Sequence, residues 1–165
     1  MNQPVFATGW FEVQTWTTDE ICFAAQVSRR RVQFADEHHY ISPDMEDHRR
    51  AFSFKDSLRA LAIFALTSRG VTVKKAAHIA RSIHLPRLWS EPGAILAWTD
   101  PRAGIPTLKF FSRTDDIQLI AFLCSMTRPV LVTSLEASIE RLKAVKTMSI
   151  RERRALLMNQ GLSRR

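Results

Sequence analysis

The 165-residue chain is long enough for one domain or two small ones. Its 45% hydrophobic and 24% charged residues fit a folded globular chain and exclude a disordered one, and no uninterrupted apolar run is long enough to span a bilayer. The net charge of +8 is uneven: Met1–Pro86 carries 11 Lys and Arg against 9 Asp and Glu, Arg87–Arg165 carries 13 against 7, and after Glu140 eight basic residues meet only Glu152. This balance predicts an acidic partner, nucleic acid first, with a solubilising basic end as the plainer alternative.

Met1–Trp16 is apolar and aromatic without periodicity and reads as an arm, 1–15, with one short strand. It lacks the basic start and apolar core of a secretory signal. Thr17 or Thr18 opens a first helix, with Asp19 and Glu20 in the turn where the helix dipole favours acids. Ile21, Ala24 and Ala25 give it an inward face, and Cys22 lies in the same stretch. A tight break at Val27–Ser28 leads to a second helix, Arg29 to His38, with Val32 and Phe34 as apolar positions. Ser28 is the expected cap, its hydroxyl accepting from a first-turn amide. Arg29, Arg30 and Arg31 then sit on a helix start that already attracts phosphate. That suits a DNA backbone and guanine edges, while a solvated basic face is the plain reading.

Residues 42–48 read as a polar loop, and Arg49-Arg50-Ala51-Phe52 as a short strand leaving it. Ser53 caps the next helix, with Asp56 as a variant capping box and Leu58, Leu61, Ala62, Ala65 and Leu66 at helical spacing. Gly70 ends it, and Thr72 opens a further helix that stops before Pro86. Six prolines and glycines between Pro86 and Pro106 forbid a long helix there. Beyond them, Ala94–Trp98 and Thr107–Phe111 read as a hairpin, Asp115–Met126 as a helix, Pro129–Thr133 as a buried strand and Ser134–Val145 as a helix. These elements predict a small α/β domain over 87–148, followed by a basic, fraying tail over 149–165.

Two short helices across a tight break, then a basic loop, then two helices, form the order of a helix-turn-helix with a wing. Thr17-Thr18-Asp19-Glu20-Ile21 through Val27-Ser28-Arg29-Arg30-Arg31-Val32-Gln33-Phe34 to Ile41 resembles the opening of MerR-family transcription regulators. In that family a helix starting T-I-x-E precedes V-S-x-x-T-I-R-Y-Y-E. Arg49-Arg50-Ala51-Phe52-Ser53 with Asp56 is similar to the family's R-R-Y-S-x-x-D wing exit, and Gly70-Val71-Thr72-Val73 to its G-[FV]-S-[LI] joint. The resemblance covers roughly residues 16–85. It implies a DNA-binding domain over 16–86 whose second helix enters the major groove. Ser28, Arg29, Arg30, Arg31, Gln33 and Phe34 would meet DNA there, with Arg49 and Arg50 on flanking phosphates. Gln33, Phe34 and Ala35 depart from the family's arginine and aromatic pair. His39 stands where glycine usually closes the helix, and histidine tolerates the left-handed backbone better than most residues. The family's long dimerisation helix has no counterpart after Pro86, so its dimer geometry does not carry over.

The remaining candidates are weaker. His38, His39 and His48 match no metal-ligand spacing. Asp115-Asp116 reads as a helix cap, Trp89 and Trp98 as core or dimer packing, and Phe110-Phe111 as one ring on each strand face. Cys22 and Cys124 form no metal or redox motif and read as buried thiols of a reducing, cytoplasmic compartment. No phosphate loop, nucleophile elbow or metalloprotease motif occurs, so no enzyme and no cofactor is expected. The expectation is an α+β chain: a MerR-like winged helix-turn-helix, a small α/β domain and a basic tail. It would be a sequence-specific DNA-binding regulator acting on double-stranded DNA as a homodimer. Its C-terminal half would dimerise through the Ala94–Phe111 hairpin, bind an effector, or touch RNA polymerase or another protein. An antitoxin-like or anti-regulator protein-interaction module is the alternative.

Overall fold

The computed structural model describes residues 14–82, 89, 95–99, 108–111, 116–126 and 130–159. These residues form an α+β architecture of seven bounded helices and two three-stranded antiparallel sheets. Residues 1–13 of the expected arm, the loop of the expected hairpin over 100–107, Asp115 of the expected cap and residues 160–165 of the expected tail lie outside them.

β1 (Trp16–Thr17) leads directly into α1 (Thr18–Ala25). The Thr-x-x-Glu spacing closes a full capping box: Glu20 N–H donates to Thr17 Oγ1 at 3.3 Å, and Thr17 N–H donates to Glu20 Oε2 at 2.8 Å. Gln26 ends α1 in the left-handed region at φ 55°, one residue before the expected break. α2 (Arg29–Glu37) comes next, and His39 makes its exit turn at φ 55°, the conformation glycine usually supplies. Within the expected polar loop, residues 44–46 form a strand, β2 (Asp44–Glu46), hairpinned to β3 (Arg49–Phe52). Its two loop residues, Asp47 and His48, both have positive φ, which a two-residue turn needs to match the strand twist. β1 pairs with the other edge of β3, Trp16 opposite Phe52, giving the order β1-β3-β2.

α3 (Phe54–Ser68) is the hub. Ser53 Oγ accepts from Asp56 N–H and donates to the Asp56 carboxylate, which fixes its start. Ala60 to Phe64 are five consecutive buried residues, so α3 is covered on more sides than one amphipathic stripe provides. α1 and α4 (Val73–Arg81) pack against it, and β6 (Val130–Ser134) reaches it from the second sheet. Gly70 takes φ 88° at the turn between α3 and α4.

In the second sheet β4 (Ile95–Thr99) lies between β5 (Leu108–Phe111) and β6 (Val130–Ser134). Strand alternation splits β6 between two cores. Leu131 packs on the large cluster built around α3, while Val130 and Val132 join Phe111 and Phe122 in a small one. Phe122 belongs to α5 (Asp116–Ser125), which therefore covers the sheet face turned away from α3. Trp89 is buried edge-on against Phe54, so it is core. Cys22 is buried as expected, but Cys124 is exposed, because it lies on the side of α5 opposite the sheet.

α6 (Glu136–Thr147) buries Leu142 and Ile139 in the same large core and lies antiparallel along α1. Arg141 Nε donates to the Ala24 carbonyl at 3.0 Å, at the end of α1. Lys146 Nζ lies 3.4 Å from Glu20 Oε2 at its start and 5.4 Å from the Trp16 ring centroid. α7 (Ile150–Asn159) adds Arg153 Nη1 at 3.2 Å from Glu20 Oε1. Instead of fraying at its start, α7 is capped by Ser149, whose N–H and hydroxyl both reach Glu152. These bonds to Ser149 also hold the Glu152 carboxyl below its ordinary range.

Glu20 is 1% exposed and is the buried carboxylate that faces these two cations. Removing one partner of a buried ion pair leaves the other charge desolvated, so Glu20→Gln is expected to cost about 3 kcal/mol in urea unfolding. A loss below about 1 kcal/mol, the range of an exposed pair, would contradict this role. A second expectation concerns Cys22, whose thiol burial, helped by nearby Asp19, pushes up to about 12. The unfolded thiol ionises near 9.0 while the folded one stays protonated, so this contribution to stability is complete below pH 9 and is lost as pH rises toward 12. Alkylation at pH 8 with mass spectrometry as the readout should leave Cys22 unlabelled until denaturant is added; labelling in the folded chain would refute it.

Candidate nucleic-acid interface

α2 is sorted by its own periodicity. Val32 and Ala35 are buried, while Arg29, Arg30, Arg31, Gln33 and Phe34 are exposed. Ser28 has the extended backbone of a cap residue, but its hydroxyl makes no capping bond. The expected bond is replaced by its carbonyl alone, which accepts from Arg31 N–H at 3.0 Å and Val32 N–H at 3.4 Å. The Arg29 and Arg30 amides of the first turn thus receive no bond from Ser28, and they lie next to three arginine side chains.

Those arginines differ in what they touch. Arg29 is turned back onto α1, where its guanidinium forms an ion pair with Asp19, Nε at 3.1 Å. Arg31 Nη2 donates to Thr67 Oγ1 at 3.2 Å, and that hydroxyl donates onward to the Phe64 carbonyl at 3.0 Å. Arg30 has no ion pair among the described residues and is exposed. Arg30, Arg31 and Phe34 share one side of α2 and, with Ser28, Phe64 and Val73, line a shallow depression of about 220 Å³. Its floor is apolar and its rim is cationic.

The hairpin is fixed to α2 by charge. Arg50 Nε pairs with Asp36 Oδ2, and both groups are partly buried. Arg49 stands opposite Glu46 in the β2–β3 register and remains exposed. Gln33 Nε2 donates to Glu37 Oε1 at 2.8 Å, so its amide is held along α2. Phe34, 44% exposed, lies with its centroid 4.1 Å from the His38 ring, and His38 stacks on Tyr40 at 5.9 Å. No group of three or more metal-ligating side chains occurs among the described residues.

Of the eight predicted interface residues, Arg30, Arg31 and Phe34 therefore come together beside Ser28, and Arg49 lies on the hairpin. Arg29, Gln33 and Arg50 are each engaged with an acidic neighbour. Sequence reasoning missed Thr67, Phe64 and Val73, which hold or floor this surface from α3 and α4. No local motif relates Arg31 to a residue thirty-six positions away.

The basic C-terminal stretch is also redistributed. Arg141, Lys146 and Arg153 face α1, and Lys143 pairs with Glu140 while lying 4.8 Å from the Trp89 ring centroid. Arg151 and Arg154 remain exposed. No described helix is long and apolar enough to cross a membrane. No protein-family model matches this chain, and no curated protein matches it by sequence.

Proposed function

We propose that the chain is a sequence-specific, DNA-binding transcription regulator that works as a homodimer. In this reading α1 and α2 form a MerR-like helix-turn-helix, α2 enters the major groove, and the β2–β3 hairpin is a wing on the flanking phosphates. The carrying observation is the division among the arginines. Arg29 and Arg50 are neutralised by Asp19 and Asp36, whereas Arg30, Arg31 and Arg49 point their charge outward without an ion pair among the described residues.

That division supports distinct roles. Arg29 fixes the angle between α1 and α2, and Arg50 fixes the hairpin against α2, so both act as positioning residues. Arg30 and Arg31 have the fork geometry that reads guanine O6 and N7. Arg31 would exchange its hydroxyl partner on Thr67 for a base or phosphate oxygen. Phe34, exposed beside them, offers an apolar contact to a thymine methyl group. Arg49 contributes sequence-independent attraction by releasing condensed counterions. A twofold dimer would present two copies of α2 about 34 Å apart, one turn of DNA, on an inverted repeat.

Competition binding against a selected duplex and against bulk DNA tests these roles. Arg30→Ala is expected to weaken the selected site by about 1–3 kcal/mol with little change on bulk DNA. Arg49→Ala should weaken both alike and lower the salt dependence by about one counterion. Unchanged binding to the selected site after Arg29, Arg30 and Arg31 are all replaced by Ala would overturn the assignment of α2.

A further inference from the structure

We infer that the depression beside Arg30 and Arg31 reads the C5 methyl group of a pyrimidine, so that this surface distinguishes thymine from uracil and 5-methylcytosine from cytosine. Methyl reading rests on the DNA-binding proposal and goes further, because it names the chemical group that the site requires. α2 and the preceding Ser28 supply Arg30, Arg31 and Phe34 to the depression, while α3 supplies Phe64 and α4 supplies Val73. Phe34 stands one turn along α2 from Arg30, on the same side of the helix. Its ring is backed by His38, 4.1 Å away between centroids, and His38 in turn stacks on Tyr40. Phe64 belongs to the main core. The apolar floor is therefore set before anything lands on it, and Phe34 is left 44% exposed.

Shape and chemistry together select that group. Small-molecule sites enclose about 300 Å³ or more and bury most of their ligand. This depression holds about 220 Å³ and is shallow, so it suits a group presented by a larger body. Two guanidiniums at its rim require that body to be anionic, and Arg30 has no ion pair among the described residues. A DNA duplex is such a body. Along its major groove the base edges offer donors, acceptors and one kind of apolar group, the C5 methyl of thymine. An apolar floor between two side chains with the fork geometry for guanine thus has one match there, a methylated pyrimidine beside a guanine. 5-Methylcytosine carries the same methyl at the same ring position, whereas uracil and cytosine carry hydrogen. Burying one methyl on this floor corresponds to about a fourfold gain in affinity.

The test uses the full chain and the duplex it selects, with thymines replaced one at a time by deoxyuridine. One thymine in each half-site should respond, its replacement weakening binding about fourfold per half-site. At that same position a 5-methylcytosine–guanine pair should bind about fourfold tighter than a cytosine–guanine pair. Neither comparison alters the protein. Phe34→Ala should abolish both differences with unchanged circular dichroism, since the side chain is partly in solvent. Phe34→Leu, which keeps an apolar side chain, should preserve them. Uracil tolerated at every position, a 5-methylcytosine pair no better than a cytosine pair, or a methyl preference that persists in Phe34→Ala would each overturn methyl reading. Selective binding that survives any of those results would leave the DNA-binding proposal standing. Failure to select any duplex would remove that proposal and methyl reading together.

Discussion

The fold depends on a single buried carboxylate. Glu20 closes the capping box of α1 through Thr17, and its two oxygens also receive Lys146 from α6 and Arg153 from α7. At 1% exposure it has lost nearly all its water, and two cations with one backbone amide replace it. Such a cluster specifies an arrangement more than it adds stability, because each charge is costly unless the others are in place. It fixes where the C-terminal helices lie, with Lys146 placed 126 residues along the chain from Glu20. With Arg141 on the Ala24 carbonyl, α1 is held at both ends by α6.

Fixing α1 also fixes α2 and the hairpin. Asp19, one residue from Glu20, anchors Arg29, and α2 begins at that residue. From α2, Asp36 reaches Arg50 and sets the hairpin. The chain of fixed charges thus runs from the C-terminal helices through α1 and α2 to β3, and the arginines left outside it crowd the exposed side of α2 and the hairpin. The second sheet carries the opposite chemistry. Its outer helix, α5, is uncharged from Ile117 to Ser125 and presents aliphatic side chains outward. One region of the protein is thus cationic on its surface, another aliphatic.

Much of this was legible in the sequence where the signal is local. The Thr17 start, the Ser53 and Thr72 caps and the helical spacing of Leu58, Leu61 and Leu66 rest on contacts within a few residues. His39 adopts the left-handed turn that its position demands. What escaped depends on distant partners. The burial of Glu20 on α1 depends on α6 and α7, whose Lys146 and Arg153 reach it. The excess charge after Glu140 reads as directed outward, yet Arg141, Lys146 and Arg153 face α1. The arginine triplet looks uniform in sequence. Its members differ only because Asp19 and Thr67 stand where tertiary structure puts them. Ser28 has the residue type of a cap without its bond, and Cys124 the surroundings of a core thiol without the burial.

The central claim, that α2 and the hairpin read DNA, is tested most directly by selecting bound duplexes from a random library with the full chain. The expected result is enrichment of an inverted repeat whose half-sites are centred about one helical turn apart, with guanines where Arg30 and Arg31 reach the groove. Recovery of no common sequence, or of one that is enriched equally by a chain carrying alanine at both positions, would contradict it.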